Sequence, residues 1–171
     1  MIELYEGVPG SGKSYHAICE KFLPWVKQGR RLYIAVDGIY LDRLSLFTGI
    51  DLEVLEQQIT IWKDSVKVLQ AFPHVEPGSA VIIDEAQTVF RSMQKVEPGL
   101  LRWLETHRHY GVDILLMSQD FRQMSQGVTR LIEATVKFRK LAFVGLAKKY
   151  QGKVRGNPED NEVIRAFVGT Y

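Results

Sequence analysis

A glycine-rich stretch near the start of the chain has the residue types and spacing of a phosphate-binding loop. It follows the pattern G-x-x-x-x-G-K-[ST], and its residues are Gly7, Val8, Pro9, Gly10, Ser11, Gly12, Lys13 and Ser14. Glycines let the backbone curl until successive N–H groups point at phosphate oxygens, since a Cβ would prevent so close an approach. The pattern assigns Lys13 to the β- and γ-phosphates and Ser14 to Mg²⁺, and it predicts that the residues from Gly7 to Tyr15 bind the nucleotide.

Two adjacent carboxylates follow an apolar run further along the chain. Residues 80–83 read Ala-Val-Ile-Ile, and Asp84 and Glu85 come directly after them. A carboxylate at the tip of a buried strand is a common ligand for the Mg²⁺ of a bound triphosphate, so we expect Asp84 to hold that ion. Glu85 is then placed to orient and deprotonate an attacking water molecule. Without the glycine-rich loop, the simpler interpretation would be a solvated strand end.

Four polar residues outside these stretches are further candidates. Gln119 closes a second apolar run at 113–118, and we expect it either to contact the γ-phosphate or the attacking water, or to be a turn residue that binds the backbone. Arg108, Arg122 and Arg102, in that order of preference, are candidates for a charge donated to the nucleotide of a neighbouring subunit. That role implies a homo-oligomer, whereas the alternative for each arginine is an ordinary surface position.

Strands and helices that alternate along the chain must position these residues. The apolar and polar patterns predict strands at 2–6, 31–36, 59–62, 80–85, 113–118 and within 135–146, and helices from 13, within 42–47, at 65–72, at 98–110, at 127–134 and from 157 through Phe167. Such alternation predicts an α/β fold with a mainly parallel central sheet flanked by helices. The loop, the two carboxylates and Gln119 then all lie at the carboxyl ends of strands.

Composition limits the remaining possibilities. The 171 residues carry 22 basic and 20 acidic side chains, so a net charge of +2 is too small to make the whole surface a nucleic-acid or membrane binder. The one cysteine, Cys19, excludes an internal disulfide and a cysteine-based zinc site. No run approaches the ~20 apolar residues of a membrane span. We expect residues 1–171 to form a single domain.

One segment does concentrate positive charge. Between Lys137 and Arg155 there is no acidic residue, and aromatic residues are interleaved with the basic ones. Its members are Lys137, Arg139, Lys140, Lys148, Lys149, Lys153 and Arg155, with Phe138, Phe143 and Tyr150 between them. The segment could hold nucleic acid or contact anionic lipid headgroups, but protection of an edge strand by lysines is the favoured interpretation.

The chain resembles the N-terminal domain of the zonular occludens toxin family, which includes the filamentous-phage assembly ATPases. The resemblance rests on the phosphate-binding loop, on Asp84-Glu85-Ala86-Gln87, and on the segment from Thr106 to Ile114 that leads to Ser118-Gln119, and it spans about the first 135 residues. It implies a P-loop NTPase fold of the additional-strand class, with RecA- or FtsK-like strand order. It also implies ATP and Mg²⁺ as cofactors, Glu85 as catalytic base and Gln119 as sensor.

The same resemblance implies a setting for the domain. Family members are longer, and their cytoplasmic ATPase domain is attached to the bacterial inner membrane by a span that follows it. Their partners are phage assembly and export proteins. Two other functions stay open on the residues alone: a deoxynucleoside kinase similar to thymidine kinase, and a nucleotide-binding interaction module without hydrolysis. The residues do not separate ATP from GTP.

Overall fold

A computed structural model describes residues 1–63, 65–142, 145, 146 and 148–171. Its strands are β1 (Ile2–Glu6), β2 (Leu32–Ala35), β3 (Ile59–Ile61), β4 (Ala80–Ile83), β5 (Asp113–Ser118), β6 (Ala134–Lys140), β7 (Lys149–Arg155) and β8 (Arg165–Thr170). Its α-helices are α1 (Lys13–Ala17), α2 (Leu23–Lys27), α3 (Leu41–Thr48), α4 (Leu52–Gln58), α5 (Ser65–Ala71), α6 (Ala86–Val89), α7 (Pro98–Thr106) and α8 (Gln126–Thr129).

One eight-stranded sheet runs through the described residues, in the order β3-β2-β4-β5-β1-β6-β7-β8. The first six strands pair in parallel, and β7 and β8 extend the sheet as an antiparallel ribbon. This confirms the predicted mainly parallel α/β fold. Strand β5 lies between β4 and β1, so the segments that follow these three strands meet at one edge of the sheet.

Apolar side chains cover both faces of the sheet. One cluster packs Phe72, Leu100 and Leu104 against the strands, and the other packs Phe22 and Val26 from the first helical segment. The central strands are buried on both faces, which explains why β4 and β5 read as unbroken apolar runs rather than alternating ones.

The helical segment after the phosphate-binding loop is not uniform. α1 passes into a π-helical turn, Ile18–Phe22, which leads directly into α2. Pro24 stands in the first turn of α2 and has no N–H to donate, so the regular α-helical hydrogen-bond ladder is interrupted just there. Gly29 ends the segment in a left-handed conformation, φ +70°, which is common for a glycine just after a helix.

Several predicted elements need correction. The chain after Asn157 is not a helix, because residues 165–170 form strand β8 at the edge of the sheet. The helix predicted at 127–134 is only the short α8, and Ala134 already belongs to β6. The segment predicted as helix to Tyr110 is α7 followed by a 3-10 turn, His107–Tyr110. Among the described residues, no helix is both long and apolar enough to cross a bilayer.

Candidate nucleotide-binding site

The phosphate-binding loop joins β1 to α1, in the strand-loop-helix arrangement that its sequence pattern requires. The first helical hydrogen bond runs from His16 N to Gly12 O. The N–H groups of Lys13, Ser14 and Tyr15 precede that bond and therefore point out of the helix, where the positive end of its dipole favours an anion. Val8, Pro9 and Gly10 form the exposed rim of the loop, while Ser11 to Lys13 are buried beneath it.

Two glycines of the loop are needed for close packing. A Cβ on Gly7 would lie 2.7 Å from the carbonyl oxygen of Phe138, and one on Gly12 would lie 2.7 Å from Cγ of Tyr150. Gly12 also has a φ of +100°, which a residue with a side chain rarely adopts. The loop backbone thus packs closely against Phe138 and Tyr150, and a side chain at position 7 or 12 would displace these residues.

Lys13 is held inside the cradle. Its side chain is only 6% exposed, and Nζ donates to the carbonyl oxygens of Gly7, at 2.6 Å, and Val8, at 3.4 Å. Burial lowers the pKa of Lys13, and the nearby carboxylates of Asp84 and Glu85 act against that shift. A phosphate would supply a counter-charge for this buried amine.

The side chains of Ser14 and Asp84 are in contact beside the loop. Ser14 Oγ donates to Asp84 Oδ2 at 3.1 Å, and the Asp84 amide is fixed to Ala35 O at 2.8 Å at the end of β2. A hydroxyl and a carboxylate oxygen side by side suit Mg²⁺, which binds proteins through one or two carboxylates and keeps several waters. The described residues contain no group of three or more His, Cys, Asp or Glu side chains at metal-binding distance. With one hydroxyl and one carboxylate, Ser14 and Asp84 fit an ion whose other ligands are water and phosphate oxygens.

Glu85 has an unusual backbone and a well-supported carboxylate. It is the one non-glycine residue with positive φ among those described, at φ +48° and ψ +45°. Gln87 Nε2 donates to Glu85 Oε2, and Gln119 Nε2 lies 3.3 Å from the same oxygen. Ser118 Oγ in turn donates to the side-chain oxygen of Gln87 at 2.8 Å. Left-handed strain at a single polar residue is typical of a functional position.

The predicted arginines lie in different places. Arg108 is at the opposite edge of the sheet, where it forms an ion pair with Glu133 near the start of β1. Arg122 is at the edge of the site, two residues from Asp120, to which it is paired at 2.7 Å, and its side chain is 78% exposed. Arg102 is exposed on α7. A role for Arg108 therefore needs a neighbouring subunit, and it stays a prediction.

Two features of the site are not predicted from the sequence. Gln87 belongs to the Asp84-Glu85-Ala86-Gln87 motif without an assigned role, yet its side chain connects Ser118 to Glu85. Tyr171, the last residue of the chain, donates from Oη to Gly10 O in the loop at 2.8 Å, and its ring lies 5.8 Å from that of Tyr15. No local pattern marks Tyr171, because it reaches the loop only through the pairing of β7 and β8.

Comparison with known proteins assigns the family. The model of the family described as "Zonular occludens toxin (Zot)" matches residues 1–168. The chain belongs to the zonular occludens toxin family. This confirms the resemblance seen in the sequence, and extends it from about residue 135 to nearly the whole chain.

Two curated relatives of this chain come from bacteriophages. It is 27% identical to the Gene 1 protein of Xanthomonas phage phiLf, with 88% of the chain and 37% of that protein covered. It is 26% identical to ORF301 of Pseudomonas phage Pf3, described as an assembly protein, with 95% of the chain and 50% of that protein covered. The chain thus spans half or less of the length of these relatives.

Solved structures share the fold. The N-terminal domain of the zonular occludens toxin from Neisseria meningitidis has a TM-score of 0.62 at 21% identity, over 99% of this chain and 92% of that one. The genome packaging NTPase B204 of Sulfolobus turreted icosahedral virus 2, solved with AMPPCP, has a TM-score of 0.64 at 16% identity, over 98% of this chain and 95% of that one. The fold is that of the P-loop NTPases.

Proposed function

We propose that the chain is a Mg²⁺-dependent ATPase domain that powers phage assembly and export. The observation that carries this proposal is the meeting of the loop and the acidic strand end, with Ser14 Oγ 3.1 Å from Asp84 and Gln119 beside Glu85. A glycine-rich turn that binds no ligand would not need the Ser14 hydroxyl and the Asp84 carboxylate in contact beside it. The AMPPCP in the B204 structure and the assembly role named for ORF301 agree with it.

The binding step follows from the loop. The amides after Gly12 would take the β- and γ-phosphate oxygens, and Lys13 Nζ would exchange the carbonyl of Gly7 for a phosphate oxygen. Ser14 and Asp84 would hold Mg²⁺, which neutralises charge on the phosphates.

The hydrolytic step would belong to Glu85 and Gln119. The Glu85 carboxylate would accept a proton from the attacking water, and the amide of Gln119, which lies 3.3 Å from that carboxylate, would help to fix its orientation. A general base contributes about 10²–10⁴ to the rate. Arg122 stands at the rim and Arg108 at the far edge, so an arginine that completes the site in a neighbouring subunit belongs to this proposal, as does a homo-oligomer.

The setting of the domain is part of the same proposal. Because the chain spans half or less of its phage relatives, we take it as the cytoplasmic N-terminal part of a longer protein attached to the inner membrane. Its partners would be phage assembly and export proteins.

A cleft beside Glu85 supports the kinase as a second candidate function. It has a volume of about 350 Å³, the size of a small-molecule site, and Trp62, Asp37 and Asp84 are among its lining residues. A nucleoside acceptor could stack on Trp62 there, in place of the attacking water. The two functions differ in one product, since a kinase transfers phosphate to thymidine and an ATPase releases it.

Steady-state phosphate release tests the proposal. We expect Lys13→Ala to lose both nucleotide binding and release, whereas Glu85→Gln keeps binding and lowers release by about 10²–10⁴-fold. Lys27→Ala and Glu56→Gln are matched controls on exposed helix positions. The assay should be run over a range of protein concentrations, because the proposed site is completed by a neighbouring subunit. Undiminished release in both site variants would contradict the assignment, and formation of thymidine monophosphate would favour the kinase.

A further inference from the structure

Basic side chains on the paired strands β6 and β7 share one face of the sheet. Lys137 of β6 pairs in register with Lys153 of β7, and Arg139 pairs with Gln151. Side chains two apart on a strand point to the same side, so Lys149 of β7 joins them. We call Lys137, Arg139, Lys149 and Lys153 the basic face.

The other side of β6 and β7 packs against the first helical segment. Phe138 and Tyr150 point there, and both rings contact His16 of α1, with centroids 5.2 and 5.9 Å away. Phe167 of β8 stacks on the same histidine at 4.8 Å. The aromatic residues of the segment are therefore core, and the charges point to the opposite side of β6 and β7. Phe143 lies outside the described residues.

This arrangement contradicts the favoured interpretation that lysines protect an edge strand. The edge of the sheet is β8, whose one basic residue is Arg165, while β6 and β7 are interior strands. Lys137 and Lys153 also stand directly opposite each other, and like charges in that position destabilise a sheet. The charges therefore cost stability without guarding an edge.

Few carboxylates neutralise the basic face. Glu6 lies 3.4 Å from Lys137, and Asp120 is engaged by Arg122. Among the described residues, Arg139, Lys149 and Lys153 make no ion pair within 4 Å. The face has an excess of positive charge that is available to an external anion.

The basic face runs into the candidate active site. A cleft of about 470 Å³ separates the end of β6 from the segment after β5, and Gly7, Gln119, Arg122, Lys137 and Arg139 are among its lining residues. An anion that followed the basic face into this cleft would end beside Gln119, which contacts Glu85. The cleft is concave, so a flat bilayer surface could not follow it.

We propose that the basic face binds the phosphate backbone of a single-stranded nucleic acid. Side chains two apart on a strand are about 7 Å apart, which is comparable with the spacing of successive phosphates along a nucleic-acid strand. The cleft beside Gln119 has room for one strand but not for a duplex. The face carries no aromatic side chain for base stacking, so binding would depend on charge and would be weakly selective for sequence. This inference concerns a second site and holds whether or not the phosphate-binding loop turns over ATP.

Fluorescence anisotropy with a labelled single-stranded DNA of about 20 nucleotides, longer than a typical single-strand site, is the direct test. The double variant Arg139→Glu/Lys153→Glu should lose at least about tenfold in affinity at moderate salt. The slope of log K against log salt should become less steep by about 1.4, which corresponds to the loss of two phosphate contacts. The control Lys27→Glu/Lys95→Glu carries the same change in net charge on exposed positions elsewhere and should bind like the wild type.

Two further measurements exclude trivial causes. Lys153→Glu replaces a repulsion with Lys137 by an attraction, so the double variant should unfold at the same urea concentration as wild type or higher. If it does not fold, Arg139→Gln/Lys153→Gln takes its place. The affinity of the double variant for a fluorescent ATP analogue should fall much less than its affinity for DNA, which separates this site from the nucleotide site.

Three outcomes would overturn the inference. The first is a wild-type protein that does not bind the DNA. The second is an equal loss of DNA affinity in the two charge-reversed variants. The third is binding that depends on Arg139 and Lys153 but occurs with phosphatidylglycerol vesicles and not with DNA. The last result would assign the face to a membrane surface.

Discussion

Replacing Glu85 with glycine should leave the protein more stable than replacing it with alanine. Both variants lose the carboxylate and its bonds to Gln87 and Gln119, so those losses cancel in the comparison. What remains is the backbone, which is left-handed at this position, φ +48° and ψ +45°. An L residue in that conformation costs about 1–2 kcal/mol, whereas glycine does not.

The expected size of the difference takes the unfolded chain into account. Glycine has more freedom than alanine in the unfolded state, which costs about 0.4–1 kcal/mol. The net advantage of Glu85→Gly over Glu85→Ala is therefore about 0.5–1 kcal/mol. Urea unfolding followed by circular dichroism resolves a difference of this size through the shift in midpoint.

Glu56 provides the matched control. It is exposed within α4, where glycine should be less stable than alanine by about 0.5–1 kcal/mol. The order of the two substitutions should thus reverse between positions 85 and 56. If glycine is the less stable substitution at both positions, Glu85 is not held in a strained conformation, and the argument that strain marks a functional residue is refuted.

Three other perturbations have defined outcomes. Gly12→Ala should lower the free energy of unfolding by about 2–4 kcal/mol in urea titrations, because its Cβ would collide with the ring of Tyr150 in a backbone that alanine avoids; a fully stable variant would contradict the packing of the loop. Tyr171→Phe removes the hydrogen bond to Gly10 O and should weaken binding of a fluorescent ATP analogue by about two- to fivefold; unchanged affinity would mean that the tyrosine does not hold the loop. His107 is 3% exposed, and burial lowers its pKa below the unfolded value of about 6.5, so the unfolded chain binds the proton first and stability should fall as the pH drops below about 6.5. The urea midpoint of His107→Gln, compared with wild type at pH 7.5 and 5.5 (both about one unit from 6.5), should change less with pH, and equal changes would show that another group is responsible.

The parallel part of the fold follows from local sequence. β4 and β5 are apolar runs that end in polar residues, β1 alternates just before the loop, and the pattern places Lys13, Asp84 and Gln119 at one edge, where the structure has them. This works because strands buried on both faces need continuous apolar residues, and because ligands bind beyond the carboxyl ends of parallel strands.

The antiparallel ribbon could not be predicted in the same way. Asn157 and the apolar residues from Val163 to Phe167 have the spacing of a helix, but they form the end of a loop and strand β8. The deciding contacts are distant in sequence. Gly152 leaves room for the ring of Phe167, and Gly169 leaves room for that of Tyr150. Such contacts override local periodicity, and the position of Tyr171 at the loop depends on them.

The central claim is that the loop and Asp84 together hold a Mg²⁺-bound triphosphate, and equilibrium titration of a fluorescent ATP analogue tests it most directly. We predict that wild type binds at least about tenfold more tightly with Mg²⁺ than with the metal chelated, and that Asp84→Asn loses this gain while its metal-free affinity is retained. A wild-type affinity that is indifferent to Mg²⁺, or an Asp84→Asn variant that keeps the whole gain, would contradict the account.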